Sequence, residues 1–136
     1  MTAPTLSLQS AIRAALIADT AMTALVPAAQ IFDRHARPEL FPCVVIGEVQ
    51  EVADDMSLAR DKFRLFPTIH VWTREPGLVA VKAICWQIRR TLIASDAVRS
   101  SLIDWRYNDT RILRDPDGVT GHGVVTFEAL LGEVAL

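Results

Sequence analysis

Three histidines, two cysteines and a few paired acids are the residues of this 136-residue chain that could do chemistry. A zinc site needs several His, Cys or carboxylate ligands converging, yet His35, His70 and His122 are widely spaced and form no His-x-x-x-His or Cys-x-x-Cys pattern. Nucleophilic catalysis needs a Ser, Cys or Thr beside an oriented base, and the Gly-x-Ser-x-Gly elbow is missing from the sequence. Cys43 and Cys85 each stand alone in an apolar stretch, so both are expected as buried thiols, and no disulfide framework follows from them. Asp54-Asp55 and Asp115-x-Asp117 read as solvated loop acids, without the neighbouring base or sugar-binding aromatics that a carboxylate pair would use. Gly118, Gly121 and Gly123 do not follow a strand and open a helix, so they read as turn glycines and not as a phosphate cradle. No cofactor or metal is expected. The remaining alternative is a small ligand-binding or enzymatic domain with a site assembled from distant residues, His70, Asp104 and His122.

The elements that must position these groups follow from the spacing of apolar residues. Leu8, Ala11, Ile12, Ala15 and Leu16 line one face of a helix, with Ser7 as its expected cap, and Asp19 or Thr20 starts a short second helix stopped by Pro27. Residues 31–41, with Pro38, read as an ordered loop. Cys43 to Val49 is an apolar strand, and 52–60, with adjacent acids and no periodicity, reads as a long exposed connection. From Lys62 to Thr73 alternation puts Phe63, Leu65, Ile69 and Val71 on a core face and Arg64, Thr68, His70 and Trp72 on the other; Pro67 predicts an edge or a bulge. Arg74-Glu75-Pro76-Gly77 then turns into a helix over 78–94 whose stripe is Val81, Ile84, Cys85, Ile88 and Leu92. Ser95-Asp96 starts one more helical turn. Strand pieces follow over 102–107 and 110–114, then an Asp115-Pro116-Asp117-Gly118 turn and a return strand from Val124 to Val134. The fold class is α+β, a mainly antiparallel sheet packed against two helices in the order α-β-β-α-β-β, as one domain over 1–136.

Composition narrows the function classes. With 51% hydrophobic and 22% charged residues the chain should fold around a core, whereas a disordered chain would be far poorer in Val, Ile and Leu. Fourteen basic against sixteen acidic residues leave a formal net charge of −2, which builds no field for gripping a phosphate backbone or an anionic lipid. The N-terminus lacks a basic n-region followed by an apolar run, and nowhere do about 18 apolar residues run together. The expectation is a cytoplasmic protein that neither spans nor enters a membrane. Three tryptophans, Trp72, Trp86 and Trp105, exceed what a small core needs, so at least one is expected at a protein interface.

Three stretches resemble the tail terminator, or tail-completion, proteins of long-tailed bacteriophages and gene transfer agents. They are Ile31-Phe-Asp-Arg34 with Phe41-Pro-Cys-Val-Val-Ile-Gly-Glu48; His70-Val-Trp-Thr-Arg74 with Gly77 and the helix through Ala83, Ile84, Ile88, Arg89 and Leu92; and Leu113-Arg-Asp-Pro-Asp-Gly118 leading to Val124-Val-Thr-Phe127. Residues 11–25 also fit that family's opening helix, and Cys43 departs from it, since an aromatic is commoner after the Phe-Pro step. The resemblance implies a non-enzymatic virion protein that forms a homo-hexameric ring at the head-proximal end of the tail tube. Its implied partners are further copies of itself, the major tail tube protein and the head-completion (stopper) protein, with DNA passing through the channel without sequence-specific binding. Such a protein would be made in the bacterial cytoplasm and end in the tail of the particle. A closed ring needs a heterologous interface. Arg34 and Arg37 of the proline-bounded loop, with Trp72, Arg74 and Glu75 near the strand–helix turn, are the expected subunit contacts. Asp54, Asp55 and Arg60 of the 52–60 connection are the expected contacts with the tube.

Overall fold

Alternating apolar residues and one striped helix combine into a sheet with helices on a single face. The computed structural model of the chain describes residues 3–33, 40–54 and 58–132. In chain order these form α1 (Pro4–Ala18), α2 (Thr20–Thr23), a 3-10 turn (Ala28–Gln30), β1 (Ile31–Phe32), β2 (Cys43–Asp54), β3 (Lys62–Arg74), α3 (Val79–Ala94), α4 (Asp96–Arg99), β4 (Asp104–Arg114) and β5 (Thr120–Gly132). The strands lie in the order β1-β2-β3-β5-β4. All neighbours are antiparallel except β1, which pairs parallel to the start of β2 through Ile31↔Val44 and Phe32↔Val45.

The core lies between the sheet and the helices, because every second strand residue points there. Leu65, Ile69 and Val71 of β3 and Val125, Phe127 and Ala129 of β5 are fully buried against the α3 stripe of Val81, Ile84, Cys85, Ile88 and Leu92. Leu8, Ile12 and Leu16 seal α1 onto the same core. Trp105 is buried too: its ring stacks on Phe127 at 4.9 Å and its indole N–H donates to the Leu92 carbonyl at 2.9 Å. Asp19 joins the helices. It caps α2 by accepting from the Ala21 amide, and it also accepts from Thr91 and Gln87 of α3.

Several expectations change in the structure. α1 begins at Pro4, where a missing N–H costs nothing, and Ser7 lies inside the helix with its amide bonded to the Ala3 carbonyl. Ile31 and Phe32 leave the expected loop to form β1. β2 continues to Asp54, because main-chain pairing with β3 as far as Asp54↔Lys62 does not require apolar alternation. β4 runs through Asn108 as one strand with a bulge, and β5 starts at Thr120. Pro67 keeps its inward phase in an interior strand, and the bulge it demanded lies opposite, in β2 between Ile46 and Val49.

Gly121 and Gly123 are the sharpest change. They are strand residues beneath α3, not turn residues; a Cβ would stand 2.6 Å from Thr73 Oγ1 at Gly121 and 2.3 Å from Cys85 Sγ at Gly123. The helix can settle on the sheet only because no Cβ is present there. Gly118 alone occupies the turn, with φ +76°, where its amide donates to the Asp115 carbonyl and Asp117 accepts from the amides of Val119 and Thr120.

Candidate assembly surfaces

Because α1 and α3 cover one face of the sheet, the opposite phase of each strand forms a second face, and most of the expected functional residues stand on or beside it. One end of this face is aromatic. Trp72 of β3 lies flat on His122 of β5, with ring centroids 3.8 Å apart and planes 4° from parallel. His122 Nε2 is 2.8 Å from His70 Nδ1, and His70 Nε2 faces the Glu48 carboxylate at 3.3 Å. Gly47 makes room for this row, since a Cβ there would meet His70 Cδ2 at 2.8 Å. Arg74 ends the strand with its guanidinium 5.4 Å from the centre of the Phe41 ring.

The electrostatics of this end follow from burial. Desolvation, and then the neighbouring His70, hold His122 below its ordinary imidazole value. Only one proton fits between the two facing ring nitrogens, so the rings cannot both be fully protonated in this geometry. Glu48 is held below the usual carboxylate range, first by its own backbone N–H and then by His70. No group of three or more His, Cys, Asp or Glu side chains suited to a metal ion occurs among the described residues. Burial pushes the Cys43 thiol up to about 11 and the Cys85 thiol up to about 12, which suppresses the thiolate form.

The other end of the face is a lattice of charges. Arg64 bridges Glu128 at 2.8 Å and Asp54 at 2.9 Å, and Arg106 reaches Glu128 at 3.1 Å and Asp104 at 3.3 Å. This separates the residues proposed for an assembled catalytic site. His70 and His122 do meet, but Asp104 pairs opposite Leu130, eight residues along β5 from His122, or roughly 27 Å at strand rise. Glu48, not among the expected site residues, is the carboxylate beside the imidazoles; it lies in the bulge between Ile46 and Val49, a register shift that leaves no pattern in the sequence.

The expected contact residues divide in the same way. Trp72 and Arg74 stand together at the aromatic end. Glu75 turns to the helical side, where its carboxylate accepts from the Ala80 amide at 2.9 Å and closes the open N-terminus of α3. Asp54 belongs to β2 rather than to a loop, and its side chain is only 8% exposed within the charge lattice. Arg60 sits in the turn before β3 with φ 52°. Arg34, Arg37 and Asp55 lie outside the described residues. Grooves also lie among the described residues. A cleft of about 750 Å³ between the helices is lined largely by the alanines 14, 15, 18, 21, 94 and 97, with Asp19, Gln87 and Thr91 already bonded to one another. A smaller groove of about 160 Å³ runs between α3 and β4.

A helix-backed, mainly antiparallel sheet, with its second face half aromatic and half charge lattice, defines the class as a small α+β domain. Residues 10–132 match the family model described as tail completion protein gp17, and the chain belongs to that family of structural virion tail proteins. The fold is similar to a chain in the virion of a native gene transfer agent particle, with a TM-score of 0.79, 22% identity, and coverage of 98% of this chain and 100% of that one. It is also similar to the bacteriophage SPP1 gp17 protein, with a TM-score of 0.60, 18% identity, and coverage of 94% and 91% respectively. No curated protein matches.

Proposed function

We propose that this chain completes the tail of a phage or gene-transfer-agent particle as a ring, with six copies the expected number, on the head-proximal end of the tail tube. There it halts tube polymerisation and presents a surface to the head-completion protein, while DNA passes through the channel without being gripped. The observation that carries the reading is the family match across 123 consecutive residues, from 10 to 132. Near-neutral net charge suits a channel through which DNA must slide. Assembly of the ring on the tube takes place in the bacterial cytoplasm.

Within that ring, Trp72 and Arg74, with Arg34 and Arg37 of the preceding loop, are the proposed contacts between neighbouring subunits. The β2–β3 connection, with Asp55 and Arg60, is the proposed contact with the tube protein. Glu75 and Asp54 act one step back, by fixing α3 and the end of the β2–β3 hairpin. The test is to delete the gene in its particle-producing host and image the products by electron microscopy. Overlong or irregular tubes without heads are expected; uniform tails joined to heads would overturn the reading.

A further inference from the structure

The sheet has two open edges on opposite sides of the molecule, and they carry opposite charge. On one side β1 covers β2 only at Val44 and Val45, so among the described residues β2 from Gly47 to Asp54 is paired only to β3. That stretch holds Glu48, Glu51 and Asp54 and no basic residue; Asp54 is bridged by Arg64 and Glu48 faces His70, so Glu51 is the exposed acid of this edge. On the other side β4 is paired only to β5 along its whole length. It carries Arg111 and Arg114, besides Arg106 of the charge lattice, and is flanked by Lys82 and Arg89 of α3. Its own acids are engaged, Asp104 by Arg106 and Asp109 by Thr126, whereas Lys82, Arg111 and Arg114 have no carboxylate partner among the described residues. Asp115 and Asp117 lie beyond the edge, in the β4–β5 turn.

We propose that β4 of one copy pairs antiparallel with the Gly47–Asp54 edge of β2 in the next copy, a contact that rests on the ring reading above and supplies its main-chain interface. Strand polarity supports it. β2, β3, β5 and β4 alternate in direction, so a neighbour placed in the same sense beside β4 presents β2 running the opposite way, and the antiparallel pattern continues across the join. An open edge offers a row of N–H and C=O groups for such pairing. Charge selects the partner edge. Pairing β4 with β4 would bring Arg111 or Arg114 against itself, according to register, and pairing β2 with β2 would bring Glu51 against Glu51, so charge favours the unlike pairing. Unlike edges make a head-to-tail contact, which is what a closed ring requires and a two-fold dimer does not. Apolar surface flanks both edges: Trp86 is 56% exposed beside the α3–β4 groove, and Val52 is 39% exposed on β2.

The test uses charge reversal in the full chain, read by native mass spectrometry of the protein co-expressed with the tube protein of its particle. The unaltered chain is expected to form a multi-copy assembly. Glu51 and Arg114 both project to the helix side of their strands, so Glu51→Arg alone and Arg114→Glu alone should each weaken association at least tenfold, and the double variant should restore it. A second measurement, in the register that sets Glu51 opposite Arg114, mixes a Val52→Cys chain with a Leu113→Cys chain under oxidation, since both side chains are exposed on the outer face. Cross-linked heterodimers without homodimers are expected; equal yields of all dimers would overturn the proposal. A multi-copy assembly insensitive to either reversal would overturn the edge contact and leave the ring standing. A chain that stays monomeric would overturn both.

Discussion

At the scale of single residues, Gly123 and Cys85 set how closely α3 can approach β5. Gly123→Ala places a methyl group where the Cys85 sulfur already stands, so it should lower stability by about 1–3 kcal/mol in denaturant unfolding. Cys85→Ala in the same chain should return part of that loss, since the two side chains compete for one space. Trp105→Phe removes the indole donor and leaves the buried Leu92 carbonyl without it, at a cost of about 1–2 kcal/mol. The thiols give a test that does not depend on unfolding energies. With Cys43 near 11 and Cys85 near 12, labelling of the native protein by a thiol reagent at pH 8 should be at least roughly 100-fold slower than in denaturant. Rapid labelling of either cysteine in the native state would contradict their burial.

At the scale of elements, the row Trp72, His122, His70 and Glu48 ties β2, β3 and β5 together across the uncovered face. His122 has a lowered value in the folded state, so the unfolded chain binds more protons below the ordinary imidazole pKa of 6.5. Its contribution to stability is therefore complete above that pH and is lost as pH falls toward the folded value. His122→Phe, which keeps a ring against Trp72, should flatten the pH dependence of unfolding in that window; an unchanged slope would place the titration elsewhere. The legibility of these elements in the sequence follows their periodicity. The α3 stripe and the β3 alternation were readable because burial on one face imposes a strict spacing. The outer half of β2 was not, because Gln50 to Ala53 are exposed and held by main-chain bonds that leave no hydrophobic pattern. Gly121 and Gly123 were misread since a glycine needed for close packing looks the same as one needed for a turn. The imidazole pair was half legible: His70 was assigned to the second face, but its meeting with His122 depends on a register set by the length of β5, and Asp104 fell at the wrong end of that register.

At the scale of the whole molecule, the protein is a one-sided sheet whose helices occupy the back and whose front and edges are left to present charge and aromatic surface. Family membership defines it as a tail completion protein, and the ring, its stopping of the tube and its link to the head follow as the proposed use of those surfaces. A ring contact through β4 and β2 would be joined by Trp72 and Arg74 at one end of the strands and would leave the β2–β3 connection at the other end for the tube protein. Arg74→Ala should then reduce the yield of head-joined tails without altering the folded stability of the isolated chain by more than about 0.5 kcal/mol, since Arg74 is exposed. Equal loss of stability and of joined tails would instead make Arg74 a structural residue.

The most direct measurement is to locate the chain in its own particle, by gold-labelling a small surface tag and imaging whole particles by electron microscopy. Label confined to the junction between head and tail, in several copies at one level, is expected. Label along the tube or at the far tip, or particles that lack the chain, would contradict the proposed function.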